Sequence, residues 1–164
     1  MRTQFGYTIK TVQCDNGREF DNSASRAFFL ANGISLRMSC PYTSQQNGKA
    51  ECMIHTTNNV TRTLLFHDSM PPSYSANALA TATLLLNWLP TKTLHMSTPF
   101  FALYGTHPSY HDLRAFRCTC YPNLTATTPH KLAPLSALCV FIGYSSDHKG
   151  YRCLDLVTNW VIVS

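Results

Sequence analysis

The apolar residues of this chain change their period along its length, and that change bounds the folds open to it. Up to Leu89, short alternating runs are interleaved with long helical ones; from Phe116 onward only short strand-like runs remain. Residues 8–14, rich in Ile, Val and Thr, read as a strand ended by Asp15 and the turn pair Asn16-Gly17. Asn22-Ser23 caps a helix over about 24–31 that would bury Phe28, Phe29 and Leu30, and Asn32-Gly33 supplies a left-handed end. Residues 34–39 alternate as a half-buried strand does, until Cys40-Pro41 breaks the pattern. A helix is expected over about 49–67, and a second, more apolar one over 73–89. The second is entered through Met70-Pro71-Pro72, stopped by Pro90, and keyed into the core by Tyr74, Ala78, Leu85 and Trp88. Residues 91–114 read as an irregular connector. Strands at 138–144, 150–156 and 160–163, with turns at 145–149 and Thr158-Asn159, then form consecutive hairpins, as in a small β-barrel.

Composition enters as a set of exclusions. No run approaches the ~18 apolar residues of a membrane span, and the first residues lack the apolar centre of a signal peptide. A nuclear or cytoplasmic location, without secretion, is expected. Seven cysteines, an odd count with no export signal, read as reduced thiols, several of them buried. Net charge is only +5. Between Asn22 and Arg62, however, Arg26, Arg37, Lys49 and Arg62 face the single acid Glu51, a locally basic stretch able to hold phosphates.

Two carboxylates stand out against that background. Asp15 closes the first strand, and Glu51 follows the polar loop Thr43-Ser44-Gln45-Gln46-Asn47-Gly48-Lys49-Ala50 at the start of a helix. The chain has two glutamates in all, Glu19 and Glu51. On the helix, Glu51, His55, Asn58 and Arg62 share a polar stripe, with Met53, Val60 and Leu64 pointing away from it.

The segments Cys14-Asp15-Asn16-Gly17-Arg18-Glu19-Phe20, Asn32-Gly33-Ile34 and Pro41-Tyr42-Thr43-Ser44-Gln45-Gln46-Asn47-Gly48-Lys49-Ala50-Glu51 together carry a resemblance. So do Asn87-Trp88-Leu89-Pro90-Thr91, Cys139-Val140-Phe141-Ile142-Gly143-Tyr144 and His148-Lys149-Gly150-Tyr151-Arg152-Cys153. Across nearly its whole length the chain resembles the integrase region of copia-type retrotransposon Pol polyproteins, which are polynucleotidyl transferases with three catalytic carboxylates. The resemblance implies an α/β fold: the C-terminal half of an RNase H-like integrase core, followed by a truncated all-β barrel-like domain. It divides the chain into a partial core over 1–105, a connector over 106–115 and the start of the β-domain over 116–164.

It also implies chemistry. Integrases of this kind cut and join DNA by in-line displacement at phosphorus, with Mg²⁺ ions stabilising the attacking and leaving oxygens. Asp15 and Glu51 would be catalytic metal ligands, and Asn16, Gln45, Gln46, Asn47, Lys49 and Arg62 would contact DNA. DNA is the expected partner, with assembly of several copies on DNA in the full-length ancestor and no membrane association. The first aspartate of the resembled site would lie before residue 1, so the isolated chain is expected to bind Mg²⁺ weakly, to be inactive, and to pack loosely for want of neighbouring strands. Several positions depart from the resembled pattern. Arg18 and Arg117 stand where glycine is usual, Cys52-Met53 replaces a basic pair, and Ser75 and Asn77 replace a tryptophan and a glutamate. Such drift leaves open a non-enzymatic module that binds nucleic acid or protein, or the product of a decayed element without function. An RNase H-like nuclease is disfavoured by the Gln/Asn/Gly loop.

Overall fold

The computed structural model describes residues 6–15, 17, 19, 21–40, 43–67, 69–125, 130, 132, 134–145 and 149–164, with Ser44 and Gln45 as backbone only. Asn16 and most of the expected turn at 145–149 lie outside them. The chain divides into two compact units, Met1–Thr56 and Thr57–Ser164.

The first unit is a β–α–β crossover. Strand β1 (Thr11–Cys14) leads to helix α1 (Ser23–Ala31) and then to strand β2 (Ser35–Met38), which lies parallel to β1. Two parallel strands cannot be joined by a tight turn, so a helix-length crossover is required. The Asn22 side chain accepts a hydrogen bond from Ser25 N at 2.8 Å, satisfying one of the amides a helix start leaves open. The helix ends where Gly33 takes φ +66° and Ile34 N donates to Phe29 O at 2.8 Å, turning the chain straight into β2. Ile34 is buried and the strand alternates as expected. The helix does not bury its aromatic side: Phe28 is 50% and Leu30 81% exposed, contrary to the sequence expectation. Two strands about 4.8 Å apart offer a strip narrower than a helix about 10 Å across, so only part of the apolar face finds cover.

Helix α2 (Gly48–His67) begins in the first unit and ends in the second. In the second unit a 3₁₀ turn over Pro72–Tyr74 opens α3 (Ser75–Trp88), and Leu89, forced into an extended conformation before Pro90, closes it. The segment expected to be irregular instead holds α4 (Pro99–Tyr104). Pro99 sits in its first turn, the Thr98 hydroxyl caps Phe101 N, and Gly105 at φ +70° ends it. Strands β3 (Thr119–Cys120), β4 (Cys139–Tyr144), β5 (Tyr151–Asp155) and β6 (Val161–Val163) form an antiparallel sheet in sequential order. Asn159 at φ +62° makes the β5–β6 turn, braced by Asp155, whose carboxylate accepts from Val157 N and the Thr158 hydroxyl.

The core of this unit joins Met70, Ala78, Phe116, Val140, Ile142 and Leu154, with Leu64, Leu65 and Tyr74 packed against it. Small residues let α3 lie close on β4. Ala78 and Ala82 are fully buried, and a Cβ on Gly143 (φ +139°) would fall 3.0 Å from Thr81 Oγ1. Thr81 in turn donates to Asn77 O at 2.9 Å, so its hydroxyl is held where it is. The other side of the sheet is filled by aromatic rings and thiols: Phe141 meets Tyr144 and Tyr151 at centroid separations of 5.1 and 5.8 Å. Burial, then a hydrogen bond to Cys153, pushes the Cys120 thiol up to about 12. All seven cysteines are free thiols, with Cys14, Cys139 and Cys153 buried. Among the described residues no helix is long and apolar enough to cross a membrane.

Candidate functional site

In a parallel β–α–β unit the strand ends point the same way, and side chains just past them are free of the ladder. Asp15 occupies that position. Along β1 the exposure alternates, with Cys14 buried and Gln13 and Asp15 exposed, so Gln13 and Asp15 share one face. Asp15 Oδ1 accepts from Gly17 N at 3.1 Å, an Asx turn that fixes the carboxylate against its own backbone. Beneath it, Cys14 Sγ contacts Met38 Sδ at 3.3 Å; burial, then the charges of Asp15 and Asp21, push that thiol up. The thiol is thus a packing group.

Glu51 is exposed in the first turn of α2, where the positive end of the helix dipole favours a carboxylate. The loop that delivers it is tied down at both ends. At its start, Ser39 N and Ser39 Oγ both donate to Cys14 O, at 3.0 and 3.3 Å. At its end a 3₁₀ turn over Ser44–Asn47 leads into α2, and Gln46 O accepts from Gln13 Nε2 at 3.0 Å. The Gln46 side chain closes the loop on itself: Oε1 accepts from Cys40 N at 3.0 Å. Thr43 Oγ1 adds a bond to Cys40 O at 2.6 Å.

The remaining residues expected to contact DNA are placed as follows. Lys49 and Arg62 are exposed on α2, as are His55 and Asn58, so the polar stripe is a surface. Asn47 is half-buried, and Asn16 and the Gln45 side chain lie outside the described residues. Met53, expected to turn inward, is 62% exposed, so this part of α2 has more than its carboxylate side at the surface. Arg26, counted among the basic residues, is paired with Asp21. Among the described residues no three His, Cys, Asp or Glu side chains converge as a complete metal cage. The Gln13–Gln46 link was missed in the sequence. Its one available signal is the two-residue spacing that puts Gln13 beside Asp15.

The small sheet gives the first identification: residues 118–164 match the retroviral polymerase SH3-like domain. The whole chain then aligns with larger proteins. It is 40% identical over all 164 residues to the retrovirus-related Pol polyprotein from transposon RE1 of Arabidopsis thaliana, covering 11% of that protein. To the corresponding polyprotein from transposon RE2 of the same plant it is 37% identical over 164 residues, again covering 11%. To that from transposon TNT 1-94 of Nicotiana tabacum it is 31% identical over 159 residues, 97% of this chain and 12% of the relative. The chain's homologues are therefore retrovirus-related Pol polyproteins of copia-type transposons, and it spans about a tenth of their length.

Proposed function

We propose that the first unit is part of an RNase H-like integrase core, contributing Asp15 and Glu51 to a Mg²⁺-dependent site for phosphoryl transfer on DNA. The observation that carries this reading is the placement of the two carboxylates. One stands at the C-terminal end of a parallel strand and the other in the first turn of a helix, and the intervening loop is hydrogen-bonded to that same strand.

The donor set fits the ion. Mg²⁺ takes hard oxygen ligands, keeps several waters, and rarely needs an all-protein cage. Two exposed carboxylates suit that habit. When bound, the metal would supply charge stabilisation for the attacking and leaving oxygens. The chain's own residues do the rest. The Asx turn ties the Asp15 carboxylate to its own backbone, and the first turn of α2 carries Glu51. Lys49 and Arg62 offer cationic contacts to a phosphate backbone, and Asn16, Gln45 and Asn47 offer amides of the kind that contact phosphates and base edges.

Mn²⁺ titration of the 164-residue chain, followed by electron paramagnetic resonance, tests this. Asp15→Asn and Glu51→Gln should each weaken binding. Equal affinity in the parent and both variants would overturn the assignment.

A further inference from the structure

We infer that Gln13 and Gln46 are positioning residues, a clamp that holds the loop before α2 against β1 and so sets where Glu51 stands with respect to Asp15. The inference rests on the metal-site reading above and names what keeps that site in register.

A carboxylate pair drawn from two elements is useful to a metal only if those elements keep a constant offset, because ligand positions must hold to within about half an ångström. Here the two carboxylates are separated by a crossover helix, a strand and a polar loop. The ladder between β1 and β2 fixes the loop's first end through Cys14 O, which receives both Ser39 donors. Nothing in that ladder fixes the other end. The Gln13 side chain does: its Nε2 donates at 3.0 Å to the backbone carbonyl of Gln46. Gly48, two residues on, begins α2, and Glu51 lies in that helix's first turn, so the position of Gln46 O is transmitted through one short rigid segment.

The two glutamines have separate tasks. Gln13, on the same face of β1 as Asp15, reaches across to the loop. Gln46 keeps the loop closed, its Oε1 accepting from Cys40 N at 3.0 Å. With that carbonyl oxygen engaged inside the loop, Gln46 serves the site as an internal brace. Its role therefore differs from that of its neighbour Gln45, retained above as a DNA contact. Supporting groups around a metal site commonly contribute ten- to a hundred-fold in affinity without touching the ion. An exposed brace belongs at the lower end of that range.

The test uses Mn²⁺ titration together with amide hydrogen exchange on the 164-residue chain. The variants are Gln13→Met and Gln46→Met, near-isosteric side chains without the amide, their combination, and Glu51→Gln as reference. Each single methionine variant should weaken Mn²⁺ binding about tenfold. The double variant should be no weaker than the worse single, because both act through one clamp. The Cys40 amide should exchange faster in both singles while the amides of β4 and β5 keep the parent's protection, which separates a loosened loop from a misfolded chain. Parent-like Mn²⁺ affinity in Gln13→Met, alongside loss in Glu51→Gln, overturns the clamp and leaves the metal site standing. Mn²⁺ binding that ignores Glu51→Gln overturns the site and the clamp together. Unchanged Cys40 exchange in Gln13→Met overturns the clamp whatever the metal does.

Discussion

Replacing Gly143 with alanine tests how closely α3 lies on the sheet. The added methyl would sit 3.0 Å from Thr81 Oγ1 and 3.7 Å from Asn77 O, on backbone held at φ +139°, a conformation that side-chain-bearing residues rarely adopt. Backbone strain of that kind costs about 1–3 kcal/mol, and forcing a methyl into a packed contact costs about 1–3 kcal/mol more. Thr81 cannot simply rotate away, since its hydroxyl is hydrogen-bonded to Asn77 O and the residue is buried. The sum, about 2–6 kcal/mol, should lower the melting temperature by roughly 8–24 °C at about 4 °C per kcal/mol. Trp88 and Trp160 both belong to this unit, so tryptophan fluorescence during thermal or urea unfolding reports on it directly. Combining the change with Thr81→Ala should recover the packing share and leave the backbone share. A Gly143→Ala melt within about 2 °C of the parent would refute the reasoning.

Arg117 sits at φ +59° where the resembled pattern has glycine, so Arg117→Gly should raise stability by about 1 kcal/mol; an unchanged urea midpoint would count against strain there. The raised Cys120 thiol stabilises the fold while it stays protonated, a contribution present below the ordinary value near 9 and lost as pH climbs toward about 12. Alkaline unfolding should therefore shift upward in Cys120→Ala, and a thiol reagent at neutral pH should modify exposed Cys40 and Cys52 long before Cys139 or Cys153. Duplex DNA should bind weakly and without sequence preference. If Arg37, Lys49 and Arg62 make the phosphate contacts, the salt slope should be near −2.7 (about −0.9 per contact), and a much steeper measured slope would mean a larger basic surface. Amide exchange should run fastest in α1, β1 and β2, where Cys14 and Ile34 are the buried apolar residues, and slowest in β4, buried from Cys139 to Gly143; the reverse order would contradict the packing.

Local chemistry was legible in the sequence because local rules decide it. Asn22 as a cap, Gly33 as a helix end, Pro90 as a stop and the short strands after Phe116 each follow from the conformational preferences of a few adjacent residues. The local settings of the two carboxylates were legible for the same reason: their immediate neighbours mark a strand end at Asp15 and a Gly-led helix start before Glu51. Burial was not local, and there the expectations failed. Phe28, Leu30 and Met53 have the composition of core residues, yet whether an apolar side chain is covered depends on what else the fold brings to it. α4 was hidden for a related reason, since six residues carry too little periodicity to register until Thr98 and Gly105 are seen capping both ends. The Gln13–Gln46 clamp and the seat of Gly143 on Thr81 join residues far apart in the chain, and only the tertiary structure, by setting the distance between elements, could decide them.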